Sequence, residues 1–215
     1  MKVLIIAPHP DDEVLGCGGT IKKYTKAGND VFLCVVTKAY APDWTEKYLQ
    51  DKLIDIKKSN AALGIKKTYL LGFSTVKLDA IPQKELNDKI SAVIKTVDPD
   101  ILYIPYVGEL NKDHRLVFEA CLVSSRPFGN KIKKILAYET LSGAMWGAPP
   151  FAPTTYTDIA DTLKDKLKAM SCYQSELKEF PHPRSLKNII ALAKKRGSES
   201  GLSAAEAFMT VREII

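Results

Sequence analysis

Residues 3–7, VLIIA, form an apolar run without a polar interruption. A strand with one wet face alternates in polarity. A strand that does not alternate is covered on both faces, the pattern of a parallel sheet sandwiched between helices. This run ends abruptly in PHPDDEVLGCGGT, residues 8–20, where a histidine, three consecutive acids and several glycines follow at once. A buried central strand thus delivers carboxylates to its own carboxyl end. Acids are better solvated elsewhere, so their position asks for a chemical reason.

The pattern recurs along the chain. Short β-branched runs at 31–37, 69–72, 101–105 and 135–139 alternate with segments of helical periodicity at 14–27, 45–63, 83–97 and 114–124. This alternation predicts an α/β fold, a Rossmann-like three-layer sandwich with a mostly parallel sheet of strand order 3-2-1-4-5. Gly28 and Gly64 stand where helix C-termini favour a left-handed residue, and Pro82 suits a first helical turn. After Glu139 the stretch LSGAMWGAPPFAPTTY reads as a long loop. A further strand at 156–159 and a helix to about 173, opened by an Asp or Thr cap, follow it. FPHPRS then breaks the chain before a helix at 186–195. A last helix is expected from Ser203, where Glu206 three residues on completes a capping box. No stretch resembles a linker, so residues 1–215 read as a single domain.

Charge narrows the partners. A net +6 spread among acids gives a mildly basic surface suited to a small, anionic molecule, and no basic run points to nucleic acid. No stretch approaches the roughly 20 apolar residues of a membrane span, and the first apolar run is too short for a signal-peptide core. A cytoplasmic protein is expected. Four widely spaced cysteines without a CxxC pair suggest neither a disulfide framework nor a thiolate metal site.

In a sheet of this order ligands bind beyond the carboxyl ends of strands 1 and 4, where the strand order reverses. The loop after strand 1 carries His9, Asp11, Asp12 and Glu13. The loop after strand 4, YVGELNKDHR, carries Glu109, Asn111, Asp113 and His114. His9, Asp12 and His114 make a set of two histidines and one carboxylate with an open position, which suits catalytic Zn2+ and also accommodates Fe2+, Mn2+ or Co2+. Asp11, adjacent but spare, is placed to accept a proton from an attacking water. Glu13 is expected to brace the loop near the following helix N-terminus. The plainer reading makes each histidine a hydrogen-bonded strand-end residue and the acids helix caps. Gly16, Gly18 and Gly19 do not fit a dinucleotide fingerprint and suit close packing of the first helix on the sheet.

The segment APHPDDEVLGCGGT resembles the hallmark of the PIG-L or LmbE-like zinc-dependent de-N-acetylases, which remove acetyl groups from N-acetylglucosamine conjugates. The likeness continues through KLIDIKKSNAALG, DPDILYIPY, DHRLV, YTDIADTLKDKLKAMSCYQSEL and GLSAAEAF, nearly the whole chain. The resemblance implies that His9, Asp12 and His114 bind zinc and that Asp11 is the general base for hydrolysis of an acetamide on a small sugar conjugate. It also implies self-association into a homo-oligomer.

Departures from the family pattern are informative. Asn111 stands where a histidine is usual, and an amide can donate a hydrogen bond but cannot deliver a proton. Lys52 aligns with a family arginine, and Asp55 with that arginine's acidic partner. His182, between two prolines in FPHPRS, is a candidate replacement general acid or oxyanion donor, with Arg184 as a contact for an anionic substrate. Tyr106 and Trp146 are candidate walls of a sugar pocket. Two other functions stay open: a catalytically impaired metal- or sugar-binding protein of the same fold, and a hydrolase of a different N-acyl amide.

Overall fold

The computed structural model describes residues 1–141 and 143–215. The strands are β1 (Lys2–Ala7), β2 (Asp30–Lys38), β3 (Lys67–Ser74), β4 (Ile101–Pro105), β5 (Lys134–Tyr138), β6 (Thr155–Asp158) and β7 (Ala205–Glu213). The helices are α1 (Asp12–Lys26), α2 (Glu46–Leu63), α3 (Gln83–Val97), α4 (Lys112–Ser124), α5 (Gly143–Trp146), α6 (Leu163–Met170) and α7 (Leu186–Ser200). One seven-stranded sheet has the order β3-β2-β1-β4-β5-β7-β6. The first five strands are parallel, and β7 runs antiparallel to both β5 and β6.

Side chains that alternate along β1 feed two separate cores. Val3, Ile5 and Ala7 pack with α1, α2, α6 and α7, while Leu4 and Ile6 pack with α3 and α4. That double coverage is why the strand tolerates no polar residue. Gly64 ends α2 at φ 81°, a conformation that favours glycine, and Thr45 opens it by accepting the Tyr48 N–H. At Gly16 an added Cβ would lie 2.2 Å from the Tyr138 ring, so α1 approaches the sheet only because no side chain stands there. The glycines after PHPDDE are therefore packing residues. Among the described residues, the stretch after Glu139 is a loop interrupted by the single turn of α5, and Ser142 lies outside them.

The C-terminal segment differs from the helix expected at Ser203. It is β7, inserted between β5 and β6, and Glu206 points into the protein at 4% exposure. Its carboxylate accepts the N–H groups of Gly19 (2.9 Å) and Thr20 (2.7 Å) and pairs with Lys166 Nζ at 2.6 Å. Lys166 also donates to Leu15 O at 2.8 Å. The acid that resembled a capping box thus satisfies backbone groups in the middle of α1. Ala205, Glu206, Ala207 and Phe208 are all buried, so β7 shows no alternation to betray a strand.

Glu206→Ala is expected to destabilise the fold by about 3–5 kcal/mol, since it strands the buried Lys166 ammonium as well as two N–H groups. A denaturant midpoint unchanged from the parent chain contradicts this.

Candidate metal centre and active site

The turn from β1 into α1 presents the site's first half. Asp11 sits at the N-cap position with φ 116°, a left-handed conformation that a residue with a side chain adopts at a cost of about 1–3 kcal/mol. Glu13 holds it there: fully buried, it accepts the Asp11 N–H at 3.1 Å and the Tyr173 hydroxyl at 2.7 Å. Asp12 Oδ2 accepts the His9 N–H at 2.8 Å, closing the same turn. Glu13 braces the loop, as its place before the helix suggested.

The loop after β4 brings the second half. Asn111 caps α4 through Oδ1, which accepts the Asp113 N–H at 3.0 Å, and this orients His114 in the first helical turn. His9 Nδ1, Asp12 Oδ2 and His114 Nε2 then form a triangle with sides of 3.1, 3.2 and 3.2 Å. Donors about 2.0–2.1 Å from a common tetrahedral centre stand about 3.3 Å apart, so the spacing is that of three ligands facing one cation. Among the described residues this is the group of histidine and acidic side chains able to hold a metal.

The outer ring nitrogens fit the same reading. His9 Nε2 lies 3.1 Å from Asp113 Oδ2, which also accepts the Val76 N–H at 2.6 Å. His114 Nδ1 is buried without a hydrogen-bond partner, but Glu109 Oε2 stands 3.6 Å away, itself bonded to Thr140 Oγ1 at 2.5 Å. Asp113 behind His9 fixes that ring's orientation and strengthens its ligand nitrogen, and Glu109 places a second carboxylate near the outer nitrogen of His114. Both acids lie in the loop identified from the sequence, though nothing in their spacing revealed this supporting part.

Opposite shifts separate the adjacent acids. Burial would raise Asp12, but His114 and His9 outweigh it and hold the carboxyl far below its usual range. At Asp11, burial and the Asp12 charge push the pKa well up, opposed by Arg184. Burial works against charge on His9, yet the Asp113 and Asp12 carboxylates push its pKa up to about 10.

A cavity of about 220 Å³ opens beside His9 and Asp11. Its far wall is Trp44, Tyr48, Lys52, Glu176 and Arg184, and Asn111 also lines it. Arg184 Nη1 bridges Asp11 Oδ2 (3.3 Å) and Glu176 Oε2 (3.1 Å). Glu176 Oε1 accepts from Lys52 Nζ at 2.6 Å and from the Tyr48 hydroxyl at 2.8 Å. Lys52 thus takes Glu176 as its acidic partner in place of Asp55. Burial would raise Glu176, but Lys52 beside it draws the carboxyl below its usual range.

Tyr106 is not a pocket wall. It is 2% exposed, and its hydroxyl donates to Pro149 O (2.9 Å) and Pro150 O (3.0 Å), pinning the loop after β5. Trp146 is exposed and does not line the cavity. The aromatic wall comes from Trp44, in the loop after β2, and from Tyr48, in the first turn of α2. His182 does not line the cavity either; its Nδ1 accepts the Arg184 N–H at 3.0 Å, within the turn that presents Arg184.

The family model described as PIG-L: GlcNAc-PI de-N-acetylase matches residues 4–124, which span both halves of the site. The chain belongs to this family. A diacetylchitobiose deacetylase of Thermococcus kodakarensis is 31% identical over 194 residues, covering 83% of this chain and 71% of the relative. Two solved structures share the fold. The N,N'-diacetylchitobiose deacetylase of Pyrococcus horikoshii matches with TM-score 0.80 at 23% identity, over 98% of this chain and 83% of that one. GalB, the 4-carboxy-2-hydroxymuconate hydratase of Pseudomonas putida KT2440, matches with TM-score 0.77 at 16% identity, over 100% and 97%. In this PIG-L family member no described helix is long and apolar enough to cross a membrane.

Glu109→Ala is expected to weaken metal retention about 10–100-fold, measured by chelator competition on the folded protein. Because a proton on His9 competes with the cation, uptake at pH 7 should release protons, and affinity should rise with pH. Equal retention by the variant contradicts the part assigned to Glu109.

Proposed function

We propose that the protein hydrolyses the acetamide of an N-acetylated amino sugar conjugate of the N-acetylglucosamine type, releasing acetate and the free amine. The observation that carries this reading is the ligand triangle of His9, Asp12 and His114 beside a separate buried acid, Asp11, at the edge of a cavity. The family description and the T. kodakarensis relative supply the substrate class. Zinc suits the two nitrogens and one oxygen, and Fe2+, Mn2+ or Co2+ accept the same donors. A divalent cation held there supplies polarisation of the acetamide carbonyl and acidifies the attacking water.

The remaining steps belong to the chain. Asp11 takes the proton from the attacking water. A cation held at the triangle would lower the pKa that burial raised and so ready the Asp11 carboxylate for this part. Arg184, shared between Asp11 and Glu176, aims the carboxylate and limits that rise. Asn111 has Oδ1 committed to its cap, so the group it offers the cavity is its amide N–H, a donor for developing negative charge. Asp11, protonated in the first step, then returns that proton to the leaving amine. We assign His182 to positioning, through the turn that fixes Arg184. Lys52 is a wall residue whose charge Glu176 already balances.

Acetate release from N-acetylglucosamine and diacetylchitobiose by metal-loaded protein tests the reading. Asp11→Asn should retain the metal and lose about 10²–10⁴-fold in rate. His182→Ala should lose less than about tenfold. Full activity in Asp11→Asn removes the base assignment. No acetate from any N-acetylated sugar removes the function and favours a metal-binding protein without turnover.

A further inference from the structure

The polar cavity does not end at Lys52. Pro10, Thr37, Ala39 and Lys52 also line an adjoining groove of about 360 Å³. Pockets that enclose most of a small ligand measure about 300–1,000 Å³, so the cavity of about 220 Å³ holds only part of a sugar conjugate. What is attached beyond the sugar must lie outside it, and the groove continues its wall.

The groove has a different chemistry. Val35, Leu49, Leu53, Ile56 and Leu70 give it an apolar lining, with Tyr40 among them. Leu49, Leu53 and Ile56 follow helical spacing along one stripe of α2, whereas Tyr48 and Lys52 line the polar cavity. One helix therefore serves both chambers. A stripe of this kind is ordinarily covered, yet Leu53 keeps 50% of its surface exposed and Leu70, on the edge strand β3, keeps 52%. Large apolar side chains left half open in a concavity mark a binding surface.

Two further features bear on the occupant. Gly72, at φ 77°, lines the groove, and a Cβ there would have only Lys38 Cε within reach, at 3.9 Å, so the backbone leaves space where a side chain would stand. The charged lining residues, Lys38, Glu46 and Lys52, are of mixed sign, and Lys52 is paired with Glu176. Such a lining does not select an anion.

We propose that the groove is a subsite for an uncharged apolar aglycone, an alkyl or aryl group carried by the amino sugar. The proposal rests on the polar cavity being the deacetylation site and adds a substrate preference to it. The aglycone adds binding energy without touching the reacting amide, so its effect falls on KM.

The test compares acetate release from N-acetylglucosamine, its 1-phosphate and its hexyl β-glycoside. The hexyl glycoside should show a kcat/KM about tenfold above the free sugar, since burying even two methylenes supplies that factor. Leu53→Asn combined with Leu70→Asn alters half-exposed positions that the fold tolerates, and it should bring the ratio near one. Preference for the phosphate over the hexyl glycoside overturns the proposal. So does a paired variant that keeps the ratio while changing the sedimentation coefficient, which makes the groove a contact between copies. Calorimetry with hexyl β-glucoside, which has no acetamide, separates this proposal from the deacetylase reading. Saturable binding lost in the paired variant supports the groove even where no acetate is released, and absence of saturable binding overturns it.

Discussion

The structure turns on the burial of five carboxylates at one edge of the sheet. Asp11, Asp12, Glu13, Glu109 and Asp113 each keep 2% or less of their surface exposed. Removing that much negative charge from water is prohibitive unless each group is paired or protonated. The chain distributes the compensation unevenly. Glu13 accepts a backbone N–H and a tyrosine hydroxyl, Asp113 accepts a backbone N–H and holds His9, and Glu109 takes Thr140. Asp12 faces two histidines at once, and Asp11 meets Arg184 from the far side. A divalent cation at the triangle would complete this arrangement, adding the positive charge that the cluster calls for.

The parts legible in the sequence share one property: their information is local. The uninterrupted VLIIA run marks a strand covered on both faces, and two cores on either side of β1 account for it. The strand order 3-2-1-4-5 predicts which loops meet, and His9, Asp12 and His114 do meet, because their positions depend on the turns after β1 and β4 rather than on distant packing. The misread elements depend on partners far away in the chain. Ser203 and Glu206 have capping-box spacing, but Lys166 and the N–H groups of Gly19 and Thr20 draw Glu206 inward, and the segment extends to reach them. Lys52 is separated from Glu176 by 124 residues, so the nearby Asp55 was the partner visible to a reading of one helix. Tyr106 resembles a pocket aromatic until the carbonyls of Pro149 and Pro150 are seen to take its hydroxyl.

The same contrast explains how one scaffold supports different reactions. The ligand triangle is built by two turns that the sheet topology brings together, so it follows from the fold. The walls do not. Trp44 and Tyr48 come from the segment after β2, Asn111 from the loop after β4, and Glu176 and Arg184 from the stretch between α6 and α7. A hydratase shares this fold over nearly its whole length, so the architecture alone does not choose the reaction.

Asp11, the candidate base, is held from two sides. Its left-handed backbone conformation carries strain, and the Glu13 carboxylate that accepts its N–H offsets it from within the same turn. The side chain is then met by Arg184, whose other contact is Glu176, which in turn is tied to Lys52 and Tyr48 on α2. Asp11 is therefore coupled through one arginine to the wall between the polar cavity and the apolar groove. The geometry around Asp11 is therefore set by residues as distant in the chain as Lys52 and Arg184, and not by the turn after β1 alone.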